Sequence, residues 1–575
     1  MPNTFLQGAK YMWLLPHVDE QQSLDLASLY NLSLPIVQVL QYRGLTSREK
    51  IDSFLFSSYE KDVAHASLLQ DAEKAVQRII RAVEAQEKIL IFGDYDVDGI
   101  SSTALALECL LPLGAKVNFY LPHRVRDGYG LSKKIVGKAI DSGYSLIITV
   151  DNGITAHEAV ELAQANDIDV VITDHHKPHD QLPNAYAIVN PQRQDCEYPF
   201  KYLAGVGVIF KVMSLLYEYK KMQLPERVYE FLLLGTIADV VPLLGENRFW
   251  VREGLRIVKE NTSYSLQVLC SNVNLIKPSV SSSDIGFAVA PQLNALGRLE
   301  DPRKGVKFLL GTDKKETEHI GAVLYELNQA RKDIEKSIFN EVVAEIEAGH
   351  INLKKEHCII AASESWPPGV IGLVASRLVG AYGKPTILLH LSKDGIAKGS
   401  CRSIPEFDIF QALKSGEHLL TSFGGHANAA GLSLLLTSVP ALKEHMEHCI
   451  REQLSEEDLK QKLVIHAALK LPDLNKRTLQ DMAYLEPFGN ANEMPVFVLH
   501  DVSLVQAPRI LKDAHVKCQI FAEGIIKPVI FFNRPDLFDV LQNMGTESFS
   551  VAAQVHENYW NGKTNIELTG IDIAV

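Results

Sequence analysis

Paired cysteines are missing from this chain. Its seven cysteines lie scattered at 109, 196, 270, 358, 401, 449 and 518, with no C-x-x-C among them. An odd count without metal-like spacing points to reduced thiols in a cytoplasm, each serving as a small buried hydrophobe. Long apolar runs are missing as well. None approaches the roughly 18 residues that a membrane span needs, so no membrane association is expected. Met1 to Glu20 contain Lys10 but no apolar stretch of about 7–15 residues and no small-residue cleavage site, so no secretory signal is expected. There is no low-complexity tract and no internal repeat. Basic charge is scarce: 57 Lys and Arg against 70 Asp and Glu leave a formal net charge of −13. That balance argues against a protein that coats nucleic acid by bulk electrostatics. It leaves room for a nuclease, because acids gathered at a metal site inflate the negative count.

What is present is a globular composition, 46% hydrophobic and 22% charged, over 575 residues. That length is too great for one ordinary core, and about three domains is the natural expectation. From Lys88 to about Pro242, short β-rich runs alternate with helical stretches. Ile89–Phe92, Val117–Tyr120, Leu146–Val150, Val170–Thr173 and Tyr186–Val189 read as buried strands, with Ser101–Leu111 and Thr155–Asn166 as helices between them. This is the pattern of an α/β fold with a parallel, helix-covered sheet. Residues 20–85 before it are mostly helical. After Gly311, apolar residues at three-or-four spacing from Ile320 to Ile346 predict one long amphipathic helix. It is either a strut between two domains or a helix lying on the first. A second, smaller α/β segment follows from about Glu356 to Cys449, and Lys462–Val575 is strand-rich. There Trp560-Asn561-Gly562-Lys563 makes a good hairpin turn, and a small β-barrel is expected.

Four acidic motifs carry the chemistry. Gly93-Asp94-Tyr95-Asp96-Val97-Asp98-Gly99 sets three carboxylates at alternate positions directly after a strand. An EF-hand calcium loop opens the same way, but it needs a bidentate Glu at its twelfth position, where counting from Asp94 gives Leu105. Thr149-Val150-Asp151-Asn152-Gly153 and Thr173-Asp174-His175-His176 also end strands, and in an open α/β sheet such loops converge at the carboxyl edge. The fourth, Gly235-Thr236-Ile237-Ala238-Asp239-Val240-Val241-Pro242, places an acid in an apolar run, where it wants a cation or hydrogen bonds. Clustered carboxylates repel unless cations balance them. Carboxylates with imidazoles and no thiolates suit Mn²⁺ or Mg²⁺ rather than structural zinc. Two such ions are the usual means of activating water against a phosphodiester.

These four motifs, in this order and spacing, resemble those of the DHH phosphoesterase superfamily. The GDYDxDG form of the first is closer to its single-strand-specific 5′→3′ exonuclease branch than to its pyrophosphatase branch. Further likenesses run along the chain. They are Leu121–Gly130 after the second strand, Leu293–Leu299 with its N-A-x-G-R element, Gly399–Ser403, and Gly424-Gly425-His426-Ala427-Asn428-Ala429-Ala430-Gly431. Tyr484–Gly489 resembles the lead-in to an OB-fold. The resemblance implies a DHH catalytic domain with a helical N-terminal region over 1–310, a connecting helix over 311–349, a DHHA1 domain over 350–455 and an OB-fold over 462–575. One departure is Pro367 in Trp366-Pro367-Pro368-Gly369-Val370-Ile371-Gly372, where relatives commonly have His; this segment is left out of the catalytic assignment.

The resemblance also implies roles. Asp96 and Asp98 each face one of two metals, Asp151 bridges them, and His175 and Asp239 complete the coordination of the second metal. Asp94 ligates or supports, Asp174 orients an imidazole, and His176 touches the scissile phosphate. Arg124, Arg298, Ser400 and Arg402 would grip a terminal 5′-phosphate, since Arg matches phosphate bidentately. Gly424 and Gly425 would let the backbone approach a phosphate, and His426 would hydrogen-bond to it. Tyr559, Trp560 and Lys512 are weaker candidates to track the strand. The implied activity is a monomeric exodeoxyribonuclease that releases mononucleotides from single-stranded DNA in recombination and repair. Its implied partners are a RecQ-type helicase and single-strand-binding protein. Two alternatives stay open: a phosphodiesterase acting on short oligonucleotides or cyclic dinucleotides, and a non-catalytic replication scaffold.

Overall fold

The computed structural model describes residues 4–123, 127–128, 130–275, 279–545, 547–560 and 563–575. The expected parallel sheet has five strands in the order Lys116–Tyr120, Lys88–Phe92, Leu146–Val150, Asp169–Thr173, Ala187–Val189, all parallel. Strand order therefore reverses between Lys88–Phe92 and Leu146–Val150, and a doubly wound sheet opens a crevice at that point, beyond the strand carboxyl ends. Four of the strands are buried on both faces, but Lys116–Tyr120, expected to be buried, is an edge strand with exposed and half-buried residues only. Helix Val97–Leu110 and helices Gly205–Tyr219 and Val228–Ala238 share one core with Ile89, Ile91 and Ile148. Ile147, Val170 and Ile172 face the other way, onto Ile135, Val136 and Val160.

The long helix spans Lys314–Glu347, 34 residues, or about 51 Å at 1.5 Å per residue. Ile320 and Leu324 are buried in the core of the parallel-sheet domain, whereas Ile338 and Val342 are buried with Ile359, Trp366 and Val370 of the next domain. Its two ends thus belong to two cores, as a strut requires. That next domain is a five-stranded mixed sheet, ordered Ser422–His426, Ala429–Leu435, Ile396–Arg402, Thr386–Leu391, Ile359–Ser363. Helix Ile371–Tyr382 covers one face through Val374, Ala375 and Leu378.

The C-terminal strands close on themselves. Phe497–Leu504 pairs with Phe549–Trp560 at one end and, through Ser503 and Leu504, with His515–Ala522 at the other. Phe549–Trp560, Lys563–Ala574, Ile525–Phe531 and His515–Ala522 complete the ring. Five strands closed this way make an OB-type barrel, with no long free edge. The Asn561-Gly562 turn lies outside the described residues.

The N-terminal segment departs from the expected grouping of 1–310. Thr4–Gln7 and Met12–Leu15 form a hairpin that takes Lys462–Val464 as a third strand. Leu26, Ile36, Val37, Leu40, Ile51 and Leu55, on the three following helices, share a core with Leu485, Phe497 and Val551 of the barrel. From Tyr59 onward the chain packs on the parallel-sheet domain, Tyr59 against Phe249 and Trp250 and Val63, Ala64 and Ala66 on its core. Helical periodicity shows that these helices have an apolar side, but not which domain covers it. Among the described residues no single helix is long and apolar enough to cross a membrane.

Candidate active site

Each acidic motif sits where its local structure ends. Asp96 caps helix Val97–Leu110, its side chain accepting from Gly99 N at 3.1 Å. Asp98 lies in the first turn of that helix, and its two oxygens accept from Gly205 N at 2.6 Å and Val206 N at 2.8 Å. Those amides open helix Gly205–Tyr219, so the positive ends of two helices face one carboxylate. Asp151 follows its strand in the left-handed region, φ 62°, a conformation that short polar side chains tolerate. A side chain at Gly205 would place its Cβ 2.7 Å from Asp151 Oδ1, and one at Gly235 would lie 2.8 Å from Asp98 Oδ1. Only glycine lets these two helices come so close to the acids. Asp239 is the C-cap of helix Val228–Ala238.

The carboxylates and imidazoles form one continuous cluster. Asp94, Asp96 and Asp151 bring ligand atoms within 4.8 Å of one another, as do Asp98, His175 and Asp239, and Asp151, His175 and His176. Asp151 joins the first set to the third. Asp174 turns away: Oδ1 accepts from the amides of His175 and His176 and bonds the His176 ring, and Oδ2 accepts from Ile154 N.

Charge repulsion pervades the cluster. Burial and neighbouring Asp96 push the Asp98 carboxyl up to about 7. Burial and the other acids, Asp98 first, hold Asp151 and Asp239 well above the usual range. Burial lowers His175 to about 4, keeping it neutral as a metal ligand must be. Burial also works against charge on His176, but the Asp174 carboxylate outweighs it and raises that ring to about 9.

The cluster fits divalent cations. Asp151 Oδ1, His175 Nε2 and Asp239 Oδ2 are buried atoms without a hydrogen-bond partner, although Nε2 lies 3.2 Å and 3.6 Å from the two oxygens. Buried polar atoms left this way are costly and need an explanation. Ligands at about 2.1 Å from an octahedral ion sit about 3 Å apart, which is this spacing. Oxygen donors with one or two imidazoles and no thiolate match Mn²⁺ or Mg²⁺.

A second constellation lies next to it. Helix Ala290–Leu299 runs against the first acidic loop: Asn294 Oδ1 accepts from Val97 N at 3.2 Å, and a Cβ on Gly297 would meet Tyr95 O at 2.3 Å. One turn on, Arg298 Nη1 donates to Gly369 O at 2.7 Å. A Cβ on Gly372, in the first turn of helix Ile371–Tyr382, would lie 2.7 Å from Ser400 Oγ and 3.1 Å from Arg402 Nη2. Arg298, Ser400 and Arg402 thus converge on a helix N-terminus, a ready anion site. The 366–372 segment, given no role on sequence, therefore lies against this cluster through Gly369 and Gly372. Across the sheet Ser400 pairs with Gly431 and Gly431 with Gly424, while Arg402 pairs with Ala429 and Ala429 with His426. Ser400, Arg402, Gly424 and His426 therefore share one face, and Gly425 turns to the other, in the left-handed region at φ 140°. Arg124 lies outside the described residues, as do the side chains of Tyr559 and Trp560; Lys512 is exposed in a turn.

Sequence reasoning missed Gly205, and quoted Gly235, Asn294 and Gly372 in motifs without giving them a role. Glycines opening apolar helices, as in Ala204-Gly205-Val206-Gly207, were the available signal for close approach.

Comparison with known proteins matches the domain order. Family models match residues 88–236 (DHH family, N-terminal domain), 355–452 (DHHA1 domain) and 465–572 (RecJ OB domain). Single-stranded-DNA-specific exonuclease RecJ of Bacillus subtilis (strain 168) is 33% identical over 99% of this chain and 71% of its own length. Its namesake from Escherichia coli (strain K12) is 34% identical over 84% of this chain and 85% of its own. The crystal structure of RecJ in complex with Mn²⁺ from Thermus thermophilus matches with a TM-score of 0.82 at 26% identity, over 98% of this chain and 79% of that one. The chain belongs to the RecJ family of the DHH phosphoesterases.

Proposed function

We propose that this chain is a metal-dependent exonuclease specific for single-stranded DNA, working 5′→3′ and releasing mononucleotides during recombination and repair. The observation that carries the reading is helix Ala290–Leu299. Asn294 touches the Asp94–Asp98 loop and Arg298 the anion pocket, one turn or about 6 Å apart along the axis. A strand whose terminal phosphate rests on Arg298, Ser400 and Arg402 lays its first phosphodiester beside the acids.

Two ions, Mn²⁺ or Mg²⁺, fit the ligand sets: one among Asp94, Asp96 and Asp151, the other among Asp98, Asp151, His175 and Asp239. When bound they would supply activation of water and neutralisation of charge on the phosphate. The chain's own residues do the rest. His176, held charged by Asp174, donates to a non-bridging phosphate oxygen. Arg298, Ser400 and Arg402 hold the 5′ end and stop further threading, which sets polarity. Gly424, Gly425 and His426 contact the next phosphates along the same sheet face, Arg124 adds a further cation, and the barrel holds the trailing strand.

In this reading 88–310 with the strut helix forms the catalytic domain, 350–455 grips the 5′ end, and the N-terminal helices belong with the barrel. A RecQ-type helicase would supply single strands, and single-strand-binding protein would share them. Seven cysteines without a disulfide suit a reducing cytoplasm, and the chain would act as a monomer. The test is a digest of 5′-phosphorylated single strands, duplexes and a diadenylate, with Mn²⁺, Mg²⁺ or EDTA. Metal-dependent mononucleotide release from the 5′ end of the single strand alone supports the reading. Preference for the diadenylate, or loss from the 3′ end first, overturns it.

A further inference from the structure

The helix that delivers Asp239 ends in an uncommon way. Asp239 is the C-cap of Val228–Ala238, and the next residue, Val240, adopts φ 57°. That position after a helix is normally glycine, because a Cβ crowds the left-handed conformation, and a β-branched residue is the least suited to it. The Val240 side chain is 63% exposed, so burial does not offset the strain. Something outside the helix must hold this backbone.

The holding contacts come from the barrel's lead-in loop, 250 residues away in sequence. Asn490 Nδ2 donates to Val240 O at 2.7 Å, and Leu243 N donates to Asn490 O at 2.8 Å, so one residue grips both ends of the 240–243 turn. Gly489 packs closely on the Leu243 side chain, where a Cβ would fall 2.6 Å from Cδ1. The loop is itself fixed. Asn492 Nδ2 donates to the carbonyls of Leu485 and Pro487, and Arg248 Nη1 and Nη2 donate to those of Leu485 and Tyr484.

We propose that Asn490 is a positioning residue for Asp239: by clamping Val240 in its strained conformation, the C-terminal barrel sets the aim of a carboxylate in the metal cluster. The inference rests on the reading that Asp239 is a metal ligand. Asp239 Oδ2 has no hydrogen-bond partner of its own, so the backbone at the helix end decides where it points. Without the clamp Val240 relaxes towards ordinary backbone angles and carries the carboxylate off His175 and Asp98. The barrel then has a role besides holding DNA: it completes the catalytic domain's metal site. Groups that orient metal ligands typically govern affinity by about 10- to 100-fold.

The test is Mn²⁺ binding to the full-length protein, by calorimetry and by electron paramagnetic resonance, with thermal unfolding of each preparation. Asp239→Ala should remove one of two Mn²⁺ equivalents. Asn490→Ala should weaken that same equivalent about 10- to 100-fold and spare the other. Adding Val240→Gly should restore much of the loss, because glycine takes the left-handed conformation without a clamp. If Asn490→Ala does not fold, Asn490→Asp keeps the size and turns an acceptor on the Val240 carbonyl, with the same loss expected. Two outcomes overturn the clamp while leaving Asp239 a ligand. One is that Asn490→Ala binds both ions as wild type does. The other is that it weakens both equally with a lower Tm and no recovery from Val240→Gly. If Asp239→Ala still binds two ions normally, the metal reading of Asp239 fails and the clamp with it.

Discussion

Asp151 Oδ1 and His175 Nε2 stand 3.2 Å apart, buried, and neither atom makes a hydrogen bond. In a protein interior that arrangement is stable only with a cation between the two, or with protons on the acids around them. Asp151→Asn keeps the shape and tolerates φ 62°, but removes a charge from the shared position. Activity should fall below about a tenth of wild type, because on the proposed two-metal reading a neutral amide cannot replace a carboxylate shared by both ions. The metal-free protein should unfold at an equal or higher temperature, because repulsion with Asp98 and Asp96 is relieved. Nuclease assay and calorimetry on one preparation check both, and a variant that stays fully active contradicts the two-metal assignment.

The same acids make metal-free stability depend on pH. Asp98 is raised to about 7, and Asp151 and Asp239 are raised too, so the folded state holds protons that the unfolded state releases near pH 4. That stability is complete below about pH 4 and is lost as pH rises through about 7. His175, lowered to about 4, works the other way, its contribution lost as pH falls from about 6.5 through 4. Between about pH 6.5 and 8 the acids and His176, which is raised to about 9, lose stability in the same direction. The gain in Tm on adding Mn²⁺ to EDTA-treated protein should therefore grow across that range. A gain that shrinks with rising pH contradicts this account.

Arg298 donates to Gly369 O at 2.7 Å and stands beside the start of helix Ile371–Tyr382. A bidentate arginine on a desolvated phosphate contributes on the order of 2–3 kcal/mol. Arg298→Ala should weaken binding of 5′-phosphorylated strands by about 30- to 150-fold and of 5′-hydroxyl strands much less. Titrations of both strands in Ca²⁺, which suppresses turnover, make the comparison. Equal weakening would make Arg298 a general backbone contact.

Two glycines separate packing from propensity. Gly205→Ala would drive a Cβ to 2.6 Å from Asp151 Cβ, so it should cost about 1–3 kcal/mol and lower Mn²⁺ affinity. Gly137→Ala, in helix Lys133–Asp141 with nothing within 4 Å, should stabilise by up to about 1 kcal/mol. Denaturant unfolding of both variants measures the contrast. Equal effects would mean that Gly205 is not fixed by contact with the acid.

The parallel strands, the acids at their ends and the long helix were legible in the residue pattern alone. Strand runs and helical spacing are local patterns, and one position, Leu105, was enough to exclude a calcium loop. The motif resemblance also grouped Arg298, Ser400 and Arg402 as one grip on a terminal phosphate, without the backbone that seats them. Packing across domains set Gly372 and a helix start against them. It likewise sent Leu26–Leu55 to the barrel rather than the sheet, aimed the amides of Gly205 and Val206 at Asp98, and tied Val240 to Asn490. The physical reason is range. A residue's neighbours in sequence fix its backbone and which side of an element is apolar. What covers that side, and which donor reaches a given carbonyl from 250 residues away, is chosen by packing across whole domains.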